Sequence, residues 1–270
     1  MFNRLQLFIT MSYINRLITA YRSGNFISRL CSFFKAKILF SMPKGWRARL
    51  FSGDKYYCPI CDTHLRDFLR FFRPYHRWCP VCKSLARHRF VWTYFHQTKL
   101  PIHGKNLRIL HIAPEDAIRD LFLSIPGVHY ISGDLNSKKA MEKMDICNIN
   151  YPANSFDLIF CSHVLEHVED DHQALREFHR VLSSDGQLML MVPILGVKTF
   201  QDPSITNPVD RECLFGQLDH VRAYGSDFVD IVASEGFVVE TFLPRDFLTD
   251  EDIRRQQLDV QDRLFVCKKR

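Results

Sequence analysis

From Leu107 onward, short apolar runs alternate with longer amphipathic stretches, a pattern that predicts a parallel sheet covered by helices. The expected strands are RILHI (108–112), VHYIS (128–132), FDLIFC (156–161), QLMLMVP (187–193), FVVETFL (237–243) and RLFVCKK (263–269). Before the fourth of these, Ala174, Leu175, Phe178, Val181 and Leu182 recur at helical spacing. The acids Glu169, Asp170 and Asp171 mark the start of that helix, and Asp185-Gly186 supplies a turn after it. Residues 194–225 are polar, carry several prolines and show no strong period, so a lid or binding loop is expected there. Upstream, SLARHRFVWTYFHQ predicts a helix from about Ser84, punctuated after its end by Pro101 and Gly104. Farther upstream, Leu5, Phe8, Ile9, Leu17 and Ile18, then Phe26, Ile27, Leu30, Phe33 and Phe34, predict two short basic amphipathic helices.

Charge gives the N-terminal part a different character. The chain has 270 residues, 46% of them hydrophobic, enough for one ordinary domain plus a smaller module. Residues 1–100 carry 18 Lys and Arg against 3 Asp and Glu, whereas residues 101–270 carry 18 against 27. Residues 1–50 hold nine of these cations and no acid, which suits a phosphate-rich surface, either anionic lipid or RNA. A solvated basic tail is the plain alternative. The opening MFNRLQLFITMSYINRLITAYRSG lacks a small-residue cleavage site, and its uncharged stretch is too short to span a bilayer. The expected location is cytoplasmic, with peripheral contact at the inner membrane surface through residues 1–50 as a further expectation.

Of nine cysteines, four form two knuckles, Cys58-Pro59-Ile60-Cys61 and Cys79-Pro80-Val81-Cys82, seventeen residues apart. That spacing reads as a structural zinc site, because two such turns complete a four-sulfur tetrahedron with no position open for chemistry. A redox CxxC is the rival reading, which paired knuckles with internal proline fit poorly. His64 and His76 lie between the knuckles as substitute ligands. Cys31, Cys147, Cys161, Cys213 and Cys267 are scattered among apolar neighbours, which argues against a disulfide framework.

In a parallel α/β sheet, ligands sit at the carboxyl ends of the central strands, where the strand order reverses. Candidate residues therefore follow the strands: Leu110 to Ala117 (LHIAPEDA), Asp134 in ISGDL, Asp145-Ile146, and Ser162-His163 leading into HVLEH. A carboxylate at 134 can accept hydrogen bonds from both hydroxyls of a ribose. The run from His163 to His167 also matches the HxxEH zinc-peptidase signature. A peptidase needs both histidines on one helix, and the β-like FDLIFC leading into the motif argues against that.

Residues 154–194, NSFDLIFCSHVLEHVEDDHQALREFHRVLSSDGQLMLMVPI, resemble class I S-adenosylmethionine-dependent methyltransferases, and the likeness extends over residues 105–270. With CPIC, CPVC followed by SLARHRF, LHIAPE and TFQDPSITNPVDRECLFGQLDHVRAYG, the chain from Tyr57 resembles a type 11-like bacterial zinc-knuckle subfamily without an established acceptor. The resemblance implies an α/β fold: a Rossmann-like, mostly parallel seven-stranded sheet with helices on both faces. It also implies three parts: a basic amphipathic arm (1–50), a zinc-binding module with its linking helix (51–104) and the methyltransferase domain (105–270).

The implied cofactors are S-adenosylmethionine and a structural Zn2+ held by Cys58, Cys61, Cys79 and Cys82. For S-adenosylmethionine the matching positions are His111, Ala113, Glu115, Asp134, Asp145, Ile146, Ser162 and His163. His111 stands where such enzymes carry an acid, and Ala113, Glu115 and Ala117 where they carry alternating glycines. Glu115 is then expected to supply the displaced carboxylate for the methionine amino group. Asp145-Ile146 is expected to hold the adenine amino group and one ring face.

A hydroxyl acceptor would require a general base, for which His163, His167 and His220 are candidates. Asp219, His220, Arg222 and Tyr224 form a polar cluster that either closes over the acceptor or pins the loop through an internal ion pair. The expected partner is a small-molecule, sugar or lipid-linked acceptor. RNA gripped by the basic zinc module is one alternative, and a non-catalytic binding protein lacking the cofactor is another. Oligomeric state is left open.

Overall fold

The computed structural model describes residues 37–70, 77–98 and 106–270. Most of the expected basic arm, together with His76, Pro101 and Gly104, lies outside the described residues. The chain divides into two compact units, one reaching to Thr93 and including Leu248–Asp259, the other comprising Tyr94–Phe247 and Val260–Arg270.

In the first unit, α1 (Lys44–Leu50) precedes an antiparallel hairpin of β1 (Ser52–Cys58) and β2 (Thr63–Leu65). Its core contains Tyr56, Cys58, Leu65, Phe68, Cys79 and Val81, a cluster small enough to need a further staple. The division between the units falls within α2 (Ala86–Gln97).

The second unit continues with β3 (Arg108–Ile112), α3 (Asp116–Leu123), β4 (His129–Asp134), β5 (Glu142–Lys143), β6 (Phe156–Ser162), α4 (Asp171–Val181) and β7 (Leu182–Met191). Next come β8 (Ile194–Gly196), β9 (Phe200–Gln201), α5 (Pro208–Phe215), β10 (Arg222–Gly225), α6 (Phe228–Ser234) and β11 (Phe237–Phe242). After β11 the chain forms α7 (Asp250–Gln256) in the first unit, then returns to complete the second with β12 (Leu264–Lys269). The main sheet has the order β11-β12-β7-β6-β3-β4-β5. All pairs are parallel except those of β12, which runs antiparallel to both β7 and β11. This is a Rossmann-like, mostly parallel seven-stranded sheet, and its strand order reverses between β3 and β6. Ile109, Leu110, Ile112, Leu158, Ile159, Phe160 and Leu188 through Val192 are all buried, as expected of strands covered on both faces.

Two expectations require correction, and one strand lies outside those expected. Leu182, read as the last residue of the helical stripe, instead opens β7 opposite Phe156. The register then jumps to Leu158 opposite Gln187, so Asp185-Gly186 lies inside an irregular strand and not in a turn. Residues 194–225 are not a plain loop: β8, β10 and β9 form a three-stranded sheet beside α5, with strands too short to display a period. Gly225 permits this sheet, since a Cβ there would lie 2.5 Å from backbone atoms of Val197 and Lys198. Finally, the seventh strand, β5, has only two residues and no apolar signature. No helix among the described residues is long and apolar enough to cross a membrane.

Candidate functional site

The reversal point places Ile112-Ala113 and Ser162-His163 at the carboxyl ends of neighbouring parallel strands. Ala113 (φ 48°) and His163 (φ 55°) both adopt the left-handed conformation that side chains disfavour. Each is held there by an adjoining strand: Ala113 N–H donates to Gly133 O at 2.8 Å, and His163 N–H to Met191 O at 2.8 Å. Two such residues side by side are local strain maintained by the sheet, the kind found where a chain shapes a ligand crevice. Beside them the Ser162 hydroxyl is buried with no hydrogen-bond partner. Asp134 ends β4, where its Oδ1 accepts from the N–H groups of Asn136 (2.7 Å) and Ser137 (2.6 Å), leaving Oδ2 for a ligand. These positions fit a nucleoside cofactor: a carboxylate oxygen for ribose, an unpaired hydroxyl, and close backbone approach without glycine.

Other expected cofactor residues are placed differently. His111 is fully buried, its Nδ1 lies 3.0 Å from the Tyr130 hydroxyl, and the rings of Phe122 and Phe160 pack edge-on against it. It therefore belongs to the core, where its ring is enclosed by aromatic neighbours. Glu115 is half-buried at the N-cap of α3, with no side-chain capping bond. Asp145 is exposed, and its Oδ1 accepts from Cys147 N–H at 2.9 Å, while Ile146 lies in the apolar core.

After Ser162 the HVLEH residues make a short 3-10 turn, Leu165–His167, not the α-helix that a peptidase motif requires. Glu166 is fully buried, with Oε1 at 3.2 Å from His163 Nδ1. Desolvation pushes its carboxyl pKa upward, but His163 and His167 overcome this and hold it below the usual value, so the buried group is ionised. Of the three candidate bases, His163 combines a partly exposed ring with this carboxylate partner. His167 is also partly exposed, with Nδ1 3.2 Å from Asp219 O. His220 is buried, with Nδ1 2.8 Å from Phe215 O and Nε2 2.8 Å from Gln217 Nε2, so it is enclosed and not open to an acceptor. Desolvation lowers its pKa.

The polar cluster after α5 contains the ion pair that pins this region. Arg222, 1% exposed, faces Asp171 at 3.3 Å and donates to the carbonyl oxygens of Leu165 (2.9 Å), Val168 and Glu169 (2.8 Å). Tyr224 donates its hydroxyl to the same aspartate at 2.5 Å. Its phenol pKa is pushed up mainly by burial and further by Asp171.

In the first unit the four knuckle cysteines converge, with their sulfur atoms within 4.8 Å of one another. Cys58 and Cys82 are 3.6 Å apart, and Cys61 and Cys79 are 3.7 Å apart. Disulfides need about 2.05 Å, whereas a zinc tetrahedron with bonds of about 2.3 Å has sulfur-to-sulfur edges of about 3.8 Å. The arrangement therefore fits a closed four-sulfur metal centre. Ser84 Oγ lies 3.2 Å from Cys82 Sγ and 3.5 Å from Cys58 Sγ. Behind it is Arg89, a fully buried cation that donates to the carbonyls of Ser84, Arg77, Gln256 and Gln257 and lies over the Phe68 ring. Sequence reasoning gave neither Ser84 nor Arg89 a place beside the cysteines. A buried cation partly offsets the negative charge that four thiolates retain around a divalent ion.

The fold is a Rossmann-like α/β domain. Residues 124–190 match the methyltransferase domain family, a stretch that contains β4, β6, the HVLEH turn and α4. The chain thus carries an S-adenosylmethionine-dependent methyltransferase domain. No curated protein matches the chain. Among solved structures it is similar to an S-adenosylmethionine-dependent methyltransferase from Mesorhizobium loti, with 20% identity, 67% of this chain and 98% of that one covered, and a TM-score of 0.49. It is also similar to the YcgJ protein of Bacillus subtilis, with 16% identity, coverage of 67% and 99%, and a TM-score of 0.45. A methyltransferase from Archaeoglobus fulgidus has 13% identity, coverage of 67% and 93%, and a TM-score of 0.45.

Proposed function

We propose that the second unit methylates a hydroxyl of a small, sugar or lipid-linked acceptor, and that the four cysteines hold a structural Zn2+. The observation that carries the reading is the convergence of Ala113, Asp134, Ser162 and His163 at the carboxyl ends of β3, β4 and β6. Bound S-adenosylmethionine supplies an electrophilic methyl group on its sulfonium. Asp134 Oδ2 would accept hydrogen bonds from the ribose hydroxyls, and the left-handed backbone at Ala113 would admit the cofactor where other chains use glycine.

His163 provides the base. With Glu166 ionised, Nδ1 carries the ring hydrogen toward Oε1, so Nε2 presents its lone pair. His163 Nε2 would take the acceptor hydroxyl's proton, while the cofactor would supply the methyl group by cleavage of its sulfonium carbon–sulfur bond and leave as the neutral thioether. Positioning supplies the rest of the acceleration, since methyl transfer needs an in-line approach and exclusion of water. The zinc centre has no open position and contributes folding energy to the first unit.

Calorimetry with S-adenosylmethionine and its demethylated product tests the cofactor. Asp134→Ala is expected to weaken binding at least about tenfold, the loss of a charged hydrogen-bond acceptor. Labelled cofactor incubated with cell extract then identifies the acceptor, with label expected in the lipid or carbohydrate fraction. Label in RNA would replace the acceptor assignment, and no cofactor binding by the intact protein would end the enzyme reading. His163→Gln is expected to lower kcat about 10² to 10⁴-fold, the usual contribution of a general base.

A further inference from the structure

Glu166 and His167 on the 3-10 turn and His220 before β10 bring one ligand atom each within 4.8 Å of one another. We propose that these side chains form a second metal site, separate from the four cysteines, for a divalent transition ion of borderline softness such as Zn2+ or Co2+. Glu166 is fully buried and uses only one oxygen: Oε1 faces His163, whereas Oε2 has no partner. A buried carboxylate oxygen without a donor is matched by a cation.

The imidazoles are prepared in the corresponding way. His220 Nδ1 lies 2.8 Å from Phe215 O, and His167 Nδ1 lies 3.2 Å from Asp219 O. A carbonyl oxygen can only accept, so each Nδ1 carries hydrogen and each Nε2 holds a lone pair. Metal-ligating histidines are commonly fixed as this tautomer by a backbone carbonyl. The two rings stand edge to face, 4.7 Å between centroids. Two imidazoles and one carboxylate suit zinc and its neighbours, with a remaining position for water. His163 is outside this donor set, so the site is not the peptidase arrangement suggested by the HxxEH spacing. The Gln217 amide covers His220 Nε2 at 2.8 Å, and it must turn aside for an ion to enter.

The test uses the full chain, its sulfur site loaded with zinc, titrated with Co2+ in the absence of S-adenosylmethionine. One further equivalent of Co2+ is expected, with weak visible bands and no sulfur-to-metal charge-transfer absorption. His220→Ala and His167→Ala are each expected to weaken that equivalent at least about tenfold. His167 is partly exposed, so its variant preserves a folded control if the buried His220 variant does not. No extra equivalent, a sulfur-type spectrum, or unchanged affinity in a folded variant would overturn the proposal. Because the titration omits the cofactor, its result is independent of the methyl-transfer reading.

Discussion

Ala113 shows how a glycine-like loop persists without glycine. The left-handed conformation costs an ordinary residue about 1–2 kcal/mol, while glycine costs about 0.5–1 kcal/mol of additional chain entropy. Ala113→Gly should therefore stabilise the protein by up to about 1 kcal/mol, raising Tm by about 2–4 °C for a chain of this size. A lower Tm in a thermal scan would contradict the strained geometry. A second residue carries a pH signature. Glu177 accepts hydrogen bonds from Arg180 at 2.8 Å, and this, with Ile149 N–H, holds its carboxyl below the usual value despite partial burial. A depressed acid contributes stability at neutral pH and loses it as pH falls below the unfolded value of about 4.3 toward the folded one. Between pH 5 and 3, Tm of the wild type is expected to fall farther than that of Glu177→Gln, and parallel curves would refute this.

At the scale of elements, Arg222 fastens β10 to the turn after β6 and to the first turn of α4. Arg222→Met would leave Asp171 buried without its cation and take one donor from each of three carbonyls, at a cost of about 3–5 kcal/mol. Lysine should not rescue it, because one ammonium cannot reproduce the planar fork. Denaturant midpoints would check both, and a loss within 0.5 kcal/mol, roughly the range of an ordinary surface substitution, would count against the role. The sequence reading of these elements succeeded where burial imposes a long apolar run: RILHI and FDLIFC appear within one residue of the observed strands. It also located the four cysteines, because metal geometry demands fixed spacing. It failed at β5 and at β8 to β10, where two to four residues leave no periodicity. The burial of His111 among Phe122, Tyr130 and Phe160 was not legible, because a motif position says nothing of what surrounds a side chain. Glu166 was legible only as an acid within HVLEH, and its burial required the turn to be seen.

At the scale of the whole molecule, the two units share one chain in an interleaved order. The stretch Leu248–Asp259 leaves the second unit between the antiparallel partners β11 and β12, and α7 within it packs against β1. Its Ile253 is buried, and Arg89 holds the carbonyls of Gln256 and Gln257. The sequence DEDIRRQ gave no sign of this, since one apolar residue in a charged helix reads as solvent-facing. A fragment beginning at Tyr94 would retain every strand of the main sheet but strand α7 without the residues that bury it. That fragment should therefore be poorly soluble, whereas replacing residues 248–259 with a short Gly-Ser link should restore solubility and raise Tm. The replacement is inexpensive, because closure entropy changes only slowly with loop length, and the β11–β12 pairing is retained. Expression and thermal unfolding of the two fragments provide the comparison. Equal solubility and equal Tm would mean that residues 248–259 do not depend on the first unit, and the interleaved division would then be wrong.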